Sequence, residues 1–499
     1  MTRRIVRLAL LAGAAALAVP AQADTLGEAL AQAYGNNPTL EAARAQQRAT
    51  DETVQIERSA GLPTVDGTGA LTEFLKQNST SFFAPNRIAT AGVDLGVPLY
   101  SGGAVRNAVR AAKERVAAGQ ADLRGVESAI FTQVVAAYMD ILRAQALVGL
   151  SANQVEVLTV NLQATTDRFE IGDLTRTDIA QSQARLAIAE GDLRNAQAAL
   201  IGARENYIAL VGSAPVDLQP PPPLPGLPAS PDEAVDYALE NNPDVIAARE
   251  RAQAAGYDIK VAGAQRLPRL SVFAGYDYQN TLGSVADSPL DPNDPDSPVI
   301  PSDQSATAAQ AGLSLRIPLF QGGRPAALQR QAQARASAAF ENVIAAEREA
   351  IAQTRASFSN WQAALAIIDS SQSAVAAAEL SLEGVRAENS IGNRTILDVL
   401  NAEQELLSAR VQLVTARRNA YVAGFSLLAA MGRAEARDLG LDGEGVLYDP
   451  VVNYDRVSGR IWDWDRDPEP AARSTRTVDI PAQDASVPGP VISDVTPSR

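Results

Sequence analysis

Residues 28–38 read EALAQAYGNNP, and residues 233–243 read EAVDYALENNP, 205 positions further along the chain. A second matching pair follows, VPLYSGG at 97–103 and IPLFQGG at 317–323, at an offset of 220. The offset grows by 15 residues because the second copy carries an acidic, proline-rich insertion ahead of its IPLFQGG motif. Matching motifs that recur in the same order, at an offset that changes only by this insertion, indicate that the chain contains two copies of one structural unit.

Both copies predict the same order of elements: a helix, two strands separated by a polar loop, a very long helix after the Gly-Gly pair, and a second long helix after a short turn. The fold class is therefore mostly α, with a duplicated αββα repeat. The predicted organisation is a signal peptide at 1–23; a first repeat at 24–212, with a helix at 26–60, strands at about 64–75 and 88–99, and helices at 104–169 and 175–211; a Pro-rich linker at 213–232; a second repeat at 233–432, with a helix at 232–265, strands at about 269–281 and 305–319, and helices at 324–390 and 395–431; an equatorial segment at 433–466; and a disordered tail at 467–499.

The long helices carry a seven-residue apolar period. Val134, Ile141 and Val148 recur every seven residues in the first copy, and small residues such as Ala402 and Ala409 do so in the second. A sustained heptad predicts helices packed side by side, and small residues allow them to approach closely. The first long helix would be about 100 Å long at 1.5 Å per residue, which no compact domain accommodates.

The predicted strands alternate apolar and polar residues over about ten positions, as transmembrane strands do. Leu313, Leu315 and Ile317 alternate with small or polar neighbours, whereas Phe273 interrupts the alternation in its strand. An ordinary soluble sheet under the helices is the alternative. Four strands cannot close a barrel, and an open edge in lipid leaves backbone groups unpaired at several kcal/mol each. Membrane strands would therefore require several chains to pool their sheets.

The N-terminus has the features of a secretory signal. Arginines at positions 3, 4 and 7 precede an apolar run that ends near Val19, and Ala21-Gln22-Ala23 is a small-residue cleavage site. A membrane anchor is the alternative, but the apolar run is short for a span. The mature protein is thus expected in the periplasm or outer membrane, or secreted.

The composition excludes several classes of function. The formal net charge is -15 and the pI is about 4.7, whereas a nucleic-acid partner requires a basic surface. The chain has no cysteine and no histidine, which excludes disulfides, Cys or His metal sites and Ser-His-Asp catalysis. We therefore expect no cofactor and no enzymatic activity; a periplasmic hydrolase is the enzymatic alternative.

The turns between the paired long helices are the most specific motifs. Residues 168–178 read RFEIGDLTRTD and residues 391–402 read IGNRTILDVLNA, with Gly172 and Gly392 in the turns. These motifs, together with the repeat, resemble the TolC-like outer-membrane factors over about residues 25–467. The resemblance implies a homotrimer with a twelve-stranded barrel in outer-membrane lipid and a helical barrel in the periplasm. It also implies docking to a periplasmic adaptor and an inner-membrane pump of ABC or RND type.

The resemblance also assigns a gate. Asp398 matches an aperture-lining carboxylate, which in a trimer forms a charged ring that favours cations. The family has a second acid one turn further along, where this chain has Asn401. Arg394 matches a latch residue that bonds to the neighbouring coil, where Thr177 and Asp178 match its partners. A latch tyrosine of the family is replaced by Asn389.

A simpler interpretation of the same aspartates is helix capping. Thr175-x-x-Asp178 and Thr395-x-x-Asp398 have capping-box spacing, and an acid in the first turn stabilises a helix N-terminus. The two roles are compatible. For the whole chain, we expect an export duct that passes unfolded proteins or small molecules. A periplasmic coiled-coil adaptor or scaffold without a pore is the alternative.

Overall fold

The computed structural model describes residues 24–76, 84–285, 287–290, 294, 296–441 and 447–487. The predicted signal peptide at 1–23 lies outside these residues. The elements in chain order are α1 (Leu26–Asn36), α2 (Pro38–Ser59), β1 (Thr64–Glu73), β2 (Arg87–Tyr100), α3 (Ala104–Glu170), α4 (Arg176–Val211), α5 (Pro231–Asn241), α6 (Pro243–Gly263), β3 (Arg269–Asn280), β4 (Ser288–Pro289), β5 (Val299–Ile300), β6 (Ser305–Arg316), α7 (Arg324–Ser390), α8 (Ile396–Met431) and α9 (Pro450–Val457).

Each repeat begins with two helices, so the prediction of one continuous helix at 26–60 and at 232–265 is wrong. The break falls at the shared Asn-Pro pair, since Asn37 and Asn242 have extended backbone conformations. The Asn37 side chain accepts hydrogen bonds from the two amides that follow Pro38, at 2.9 and 3.3 Å. Proline at the first helical position needs no amide partner, so this pair starts a helix rather than continuing one.

The four long strands form one antiparallel sheet in the order β1-β2-β3-β6. The register places Val93 between Gly67 and Tyr276, and the next row places Asp94 between Asp66 and Gly275. Apolar rows therefore alternate with rows of polar or small residues, so one face of the sheet is largely apolar and the other largely polar. The outer edges of β1 and β6 have no strand partner among the described residues, so one chain leaves the sheet open at both sides.

Phe273 departs from the alternation for a local reason. It is paired with Gly312 across the β3–β6 ladder, and a Cβ atom at that glycine would lie 2.9 Å from the Phe273 ring. The Phe273 ring thus packs over the backbone that Gly312 leaves uncovered. This contact accounts for an aromatic side chain on the polar face of the sheet.

The long helices pair as two antiparallel hairpins, α3 with α4 and α7 with α8, and α3 also packs along α8. We call the α3–α8 contact the seam. The main hydrophobic core lies where the N-terminal helices meet the first hairpin, and its largest fully buried side chains include Phe131, Tyr138 and Tyr207. Helix α3 contains an apolar window with a mean hydropathy of 1.3 that is long enough for a span, but 44% of that window is buried within the chain.

Both long hairpins start at a Gly-Gly pair, as predicted. Gly103 and Gly323 have φ angles of 81° and 82°, which residues with a Cβ atom rarely adopt, and each occupies the position before the first helical residue. The chain therefore turns sharply from the sheet into the helical layer at the same point in both repeats.

The segment after α8 folds back over the helices. Helix α9 packs on α2, and the buried Asp51 accepts a 2.6 Å hydrogen bond from the Asn453 side chain. The predicted disordered tail also has specific contacts up to residue 487. Arg204 of α4, with its side chain 10% exposed, donates to the backbone carbonyls of Asp484 and Ser486, both at 2.6 Å. A buried guanidinium thus orders a segment whose composition alone favours disorder.

Candidate functional site at the helical tips

The two hairpin turns, which we call the tips, have the same backbone geometry. Gly172 and Gly392 have φ angles of 87° and 83°. The amides of Gly172 and Asp173 donate to carbonyls at the end of α3, both at 2.9 Å. Equivalent bonds of 3.0 and 2.9 Å close the second turn. A left-handed glycine satisfies the last helix carbonyls and reverses the chain within a few residues.

At the first tip, Thr175 and Asp178 form a capping box. The Asp178 carboxylate accepts from the amide and the hydroxyl of Thr175, at 2.8 and 2.7 Å. These two bonds lower the pKa of the Asp178 carboxyl. Thr177 is exposed beside them. The acid is thus held ionised at the start of α4.

At the second tip, Thr395 and Asp398 repeat the arrangement. The Asp398 carboxylate accepts from the Thr395 amide at 2.9 Å and from its hydroxyl at 2.8 Å. These bonds, and secondarily the charge of Arg394, lower the pKa of the Asp398 carboxyl. Asp398 is therefore a helix cap, as the capping interpretation predicts. Capping does not neutralise the Asp398 carboxylate, so its negative charge remains at the tip. A carboxylate that is a cap can therefore also act as a fixed charge.

The predicted latch pairing of Arg394 with Asp178 and Thr177 is not formed within one chain. Arg394 instead donates to Glu388, on its own hairpin, at 2.7 Å. The reason lies in the packing order. The seam joins α3 to α8, so α4 and α7 are the outer helices over most of their length. Near the tips α4 reaches α8 through Arg185, which bonds to Asn401, and not through Asp178.

Asn401 connects the two hairpins. Its side-chain oxygen accepts a 2.7 Å hydrogen bond from Arg185 of α4. The TolC-like family carries a second acid at this position, whereas this chain has a neutral hydrogen-bond acceptor. The acceptor holds an arginine near the tip.

Glu403 is a component of the site that sequence reasoning missed. It is 3% exposed and accepts from the Asn161 amide of α3 at 2.8 and 2.9 Å, and from Arg386 of α7 at 3.0 Å. One carboxylate thereby joins α3, α7 and α8. The available signal was its spacing, since position 403 lies four residues after the buried Val399 and shares its face.

Apolar packing surrounds this polar contact. Leu158 of α3, Ala189 of α4 and Leu400 of α8 form a buried cluster. We call Glu403, Asn161 and Arg386 the seam clamp, and it lies about one helical turn from Leu400. The tip end of the seam is therefore closed by an apolar cluster with a buried charge beside it.

No group of three or more acidic side chains that could hold a metal ion occurs among the residues that the structure describes. Most of the acidic loop around position 293 lies outside those residues. The polar groups of the tips are bonded to one another or point to solvent, which is an arrangement suited to a charged opening.

Comparison with known proteins places both repeats in one family. A family model described as outer membrane efflux protein matches residues 29–213 and 234–433. The chain is 32% identical over 451 residues to the outer membrane efflux protein BepC of Brucella suis biovar 1. The aligned region covers 90% of this chain and 94% of BepC. It is 27% identical over 429 residues to the outer membrane protein TolC of Vibrio cholerae, covering 84% of this chain and 92% of that protein.

The fold is also similar to solved structures. The outer membrane protein VceC from Vibrio cholerae superimposes with a TM-score of 0.68 at 24% sequence identity. The match covers 82% of this chain and 96% of VceC.

Proposed function

The chain belongs to the outer membrane efflux protein family, and we propose that its two tips form the gate of a trimeric duct. Family membership makes the protein an outer-membrane exit duct that extends into the periplasm and serves export of proteins or small molecules. Membership of this family favours a duct over the alternative of a periplasmic scaffold without a pore.

The homotrimer is supported by surfaces that one chain leaves uncovered. The sheet has unpaired edges at β1 and β6, which lipid does not tolerate. On α7, Phe340 and Ile344 are 56% and 43% exposed and lie one turn apart on the same face. Three chains joined edge to edge supply twelve strands and cover these apolar faces.

The latch is proposed to act between chains. Since α4 and α7 lie on the flanks, closing a ring brings α7 of one protomer beside α4 of the next. Arg394 is then able to reach Asp178 and Thr177 of a neighbouring protomer by exchanging its exposed pair with Glu388. That pair is half exposed on both sides and therefore contributes little to stability, so the exchange costs little.

The seam clamp is proposed to keep the two hairpins together while the tips are closed. Glu403 is buried, so separating α8 from α3 exposes its carboxylate to water only after its bonds with Asn161 break. Charge-assisted hydrogen bonds of this kind are about twice as strong as neutral ones. The clamp thus resists opening at a level just above the aperture.

The tips are proposed as the docking surface for a periplasmic adaptor, which connects the duct to an inner-membrane pump. Ile171 and Ile391 occupy equivalent positions in the two turns and are 81% and 71% exposed. Apolar side chains of this size, repeated in every hairpin, form a ring of contact points. The pump is of ABC or RND type, and the cargo is unfolded protein or small molecules.

The carrying observation is that Arg394 pairs with the exposed Glu388 of its own hairpin and leaves Asp178 to its capping box. The test is single-channel conductance in planar bilayers. We expect a small conductance for the wild type and a larger one for Arg394→Ser. The Glu388→Gln variant, which removes the intrachain partner alone, is expected to remain closed.

A charge exchange makes the test specific. The Arg394→Asp variant is expected to open the channel, and the Arg394→Asp/Asp178→Arg double variant to restore the small conductance. An opening by Glu388→Gln equal to that of Arg394→Ser would assign the effect to the intrachain pair instead. No conductance from an inserted trimer would contradict the gated duct itself.

A further inference from the structure

The seam between α3 and α8 opens into a cavity midway along the helices. Its volume is about 580 Å³. Leu142, Ala146 and Leu150 of α3 form one apolar wall, and Val375 of α7 and Leu413 of α8 form the opposite wall. Volumes of 300 to 1,000 Å³ are typical of sites for small organic molecules.

Other contacts bound the cavity along the seam. Towards the tips lie the cluster of Leu158 and Leu400 and the seam clamp. Towards the sheet, Pro220 and Pro221 of the linker contribute to the lining. A bounded cavity of this kind suits a compact molecule better than a helix or an extended peptide that passes through.

The linker wall is held in place by two tyrosine hydroxyls. Tyr138 of α3 donates to the Gln219 carbonyl at 2.6 Å, and Tyr421 of α8 donates to the Pro222 carbonyl at 3.0 Å. The prolines between these anchors have restricted backbones. The wall is therefore a rigid bridge between the two hairpins, which preserves the cavity.

The polar part of the lining is cationic in a strongly acidic protein. The charged residues that line the cavity are Arg143, Arg410, Arg417, Arg418 and Glu379. Arg418 forms a two-bond pair with Asp140, at 3.0 Å for each bond, and Arg143 lies 3.5 Å from the same carboxylate. Arg410 pairs with Glu379 at 2.7 Å. Arginines with partly exposed guanidinium groups beside an apolar wall recognise carboxylates and sulfonates.

The position of the cavity limits the source of a ligand. Leu142 lies 38 residues after the start of α3, which is about 57 Å from the sheet along the helix. Bilayer lipid does not reach that far. The cavity also lies on the contact between hairpins of one chain, whereas α4 and α7 carry the flanks available to neighbouring protomers.

We propose that this cavity binds a small, soluble organic anion with an apolar body, its acidic group directed to Arg143 and Arg410. The apolar body lies on the leucine-lined walls of the seam. This binding site is separate from the tips, and its existence does not depend on the proposed gate.

The chain has no cysteine, so a single introduced thiol reports on the cavity. The probe is deoxycholate below its micellar concentration, with the protein in lipid nanodiscs. We expect deoxycholate to slow maleimide labelling of an Asn153→Cys variant, whose side chain lines the cavity. Labelling of a Val160→Cys variant, at a position on the same helix that is 64% exposed, is expected to be unaffected. The uncharged methyl ester of deoxycholate is expected to protect neither.

Calorimetric titration of the same nanodiscs supplies the affinity, with empty nanodiscs as the blank. We expect the Arg143→Gln and Arg410→Gln variants to bind deoxycholate about tenfold more weakly. An Ala146→Phe variant, which fills the cavity, is expected to abolish binding, and Arg194→Gln on the exposed face of α4 is the matched charge control. Equal protection of both thiols, binding of the methyl ester, or unchanged binding in the Ala146→Phe variant would each overturn the proposal.

Discussion

At the scale of single residues, Asp398 combines a structural bond with an available charge. Its carboxylate caps α8 through Thr395, and the cap keeps the acid ionised rather than neutralising it. Asp178 has the same geometry at the other tip. The local bonding of the two aspartates is thus the same, and only their proposed roles differ, as a charge ring for Asp398 and a latch partner for Asp178.

Capping and gating are separable by substitution. Thr395→Ala removes the side-chain cap, at a cost of about 1 kcal/mol, but keeps the carboxylate. We expect Asp398→Ala to reduce cation selectivity in reversal-potential measurements and Thr395→Ala to leave it intact. Asp178→Ala is expected to keep the selectivity as well. If all three variants lose it equally, the selectivity comes from helix capping and not from a ring of Asp398 charges.

The pH dependence follows from the lowered pKa of Asp398. A carboxyl whose pKa is lower in the folded protein stabilises the fold above its ordinary pKa of 3.8, and this contribution is lost as the pH falls through the lowered value. We therefore expect cation selectivity to be constant from pH 7 down to about 4 and to fall only below 3.8. Reversal potentials measured over this range test it. A midpoint above pH 4 would indicate a different carboxylate.

At the scale of elements, the seam between α3 and α8 has three distinct parts. Its tip end holds the leucine cluster and the seam clamp, its middle opens into the cavity, and the linker prolines lie at the upper side of that cavity. Packing of this kind depends on which residues face each other across two hairpins. A small change at the clamp is therefore expected to affect the tips more than the sheet.

The seam clamp is tested by Glu403→Gln, which keeps the size of the side chain and removes its charge. We expect a loss of stability of about 2 kcal/mol and a larger single-channel conductance, because the pair with Arg386 is lost in a buried position. Glu405→Gln is the matched control, since Glu405 is exposed on the same helix. An equal increase in conductance for both variants would attribute the effect to net charge near the tips.

The ordered part of the tail is a second element-scale feature. Arg204 holds it by its backbone carbonyls, and Asp484 accepts from the Ser486 amide and hydroxyl at 3.1 and 2.6 Å, which shapes the bound turn. We expect Arg204→Ala to release the segment and to accelerate tryptic cleavage after Arg473 and Arg476 at least severalfold. Arg194→Ala, on the same helix, is the control. Equal cleavage rates would show that the segment is held by other contacts.

At the scale of the whole molecule, the two repeats are alike in fold and unlike in burial. Helix α3 is covered by the N-terminal helices and the linker, whereas much of α7 is exposed, including Phe340 and Ile344. A single chain thus leaves its second hairpin and both sheet edges uncovered. Association of several chains is the arrangement that removes these exposed surfaces.

The trimer is tested at this scale. We expect the wild type to run as a heat-modifiable trimer from outer-membrane fractions and Phe340→Asp to lose most of that band, because a carboxylate would be buried in an apolar contact. Ala338→Asp adds the same charge two residues earlier, on the opposite face of the helix, and is expected to keep the trimer. Loss of the band in both variants would indicate a general effect of charge on α7.

The sequence by itself determined the features that depend on local periodicity. The seven-residue repeat, the two-residue alternation and the capping boxes predicted long paired helices, strands and tips, since each depends on residues close together in the chain. The break at Asn37 was missed, since one continuous helix was predicted there, although an Asn-Pro pair is a local signal that caps and starts a helix. The family follows from the same repeated motifs.

Only the tertiary structure decided the contacts between distant residues. The role of Glu403, the pairing of Arg394 with Glu388, the ordered tail and the cavity under the linker all join positions on separate elements or across a turn. Asn161 and Glu403 are 242 residues apart, and no period in the chain relates them. Their contact exists because α3 and α8 pack along one seam, and that packing follows from the burial of whole helix faces.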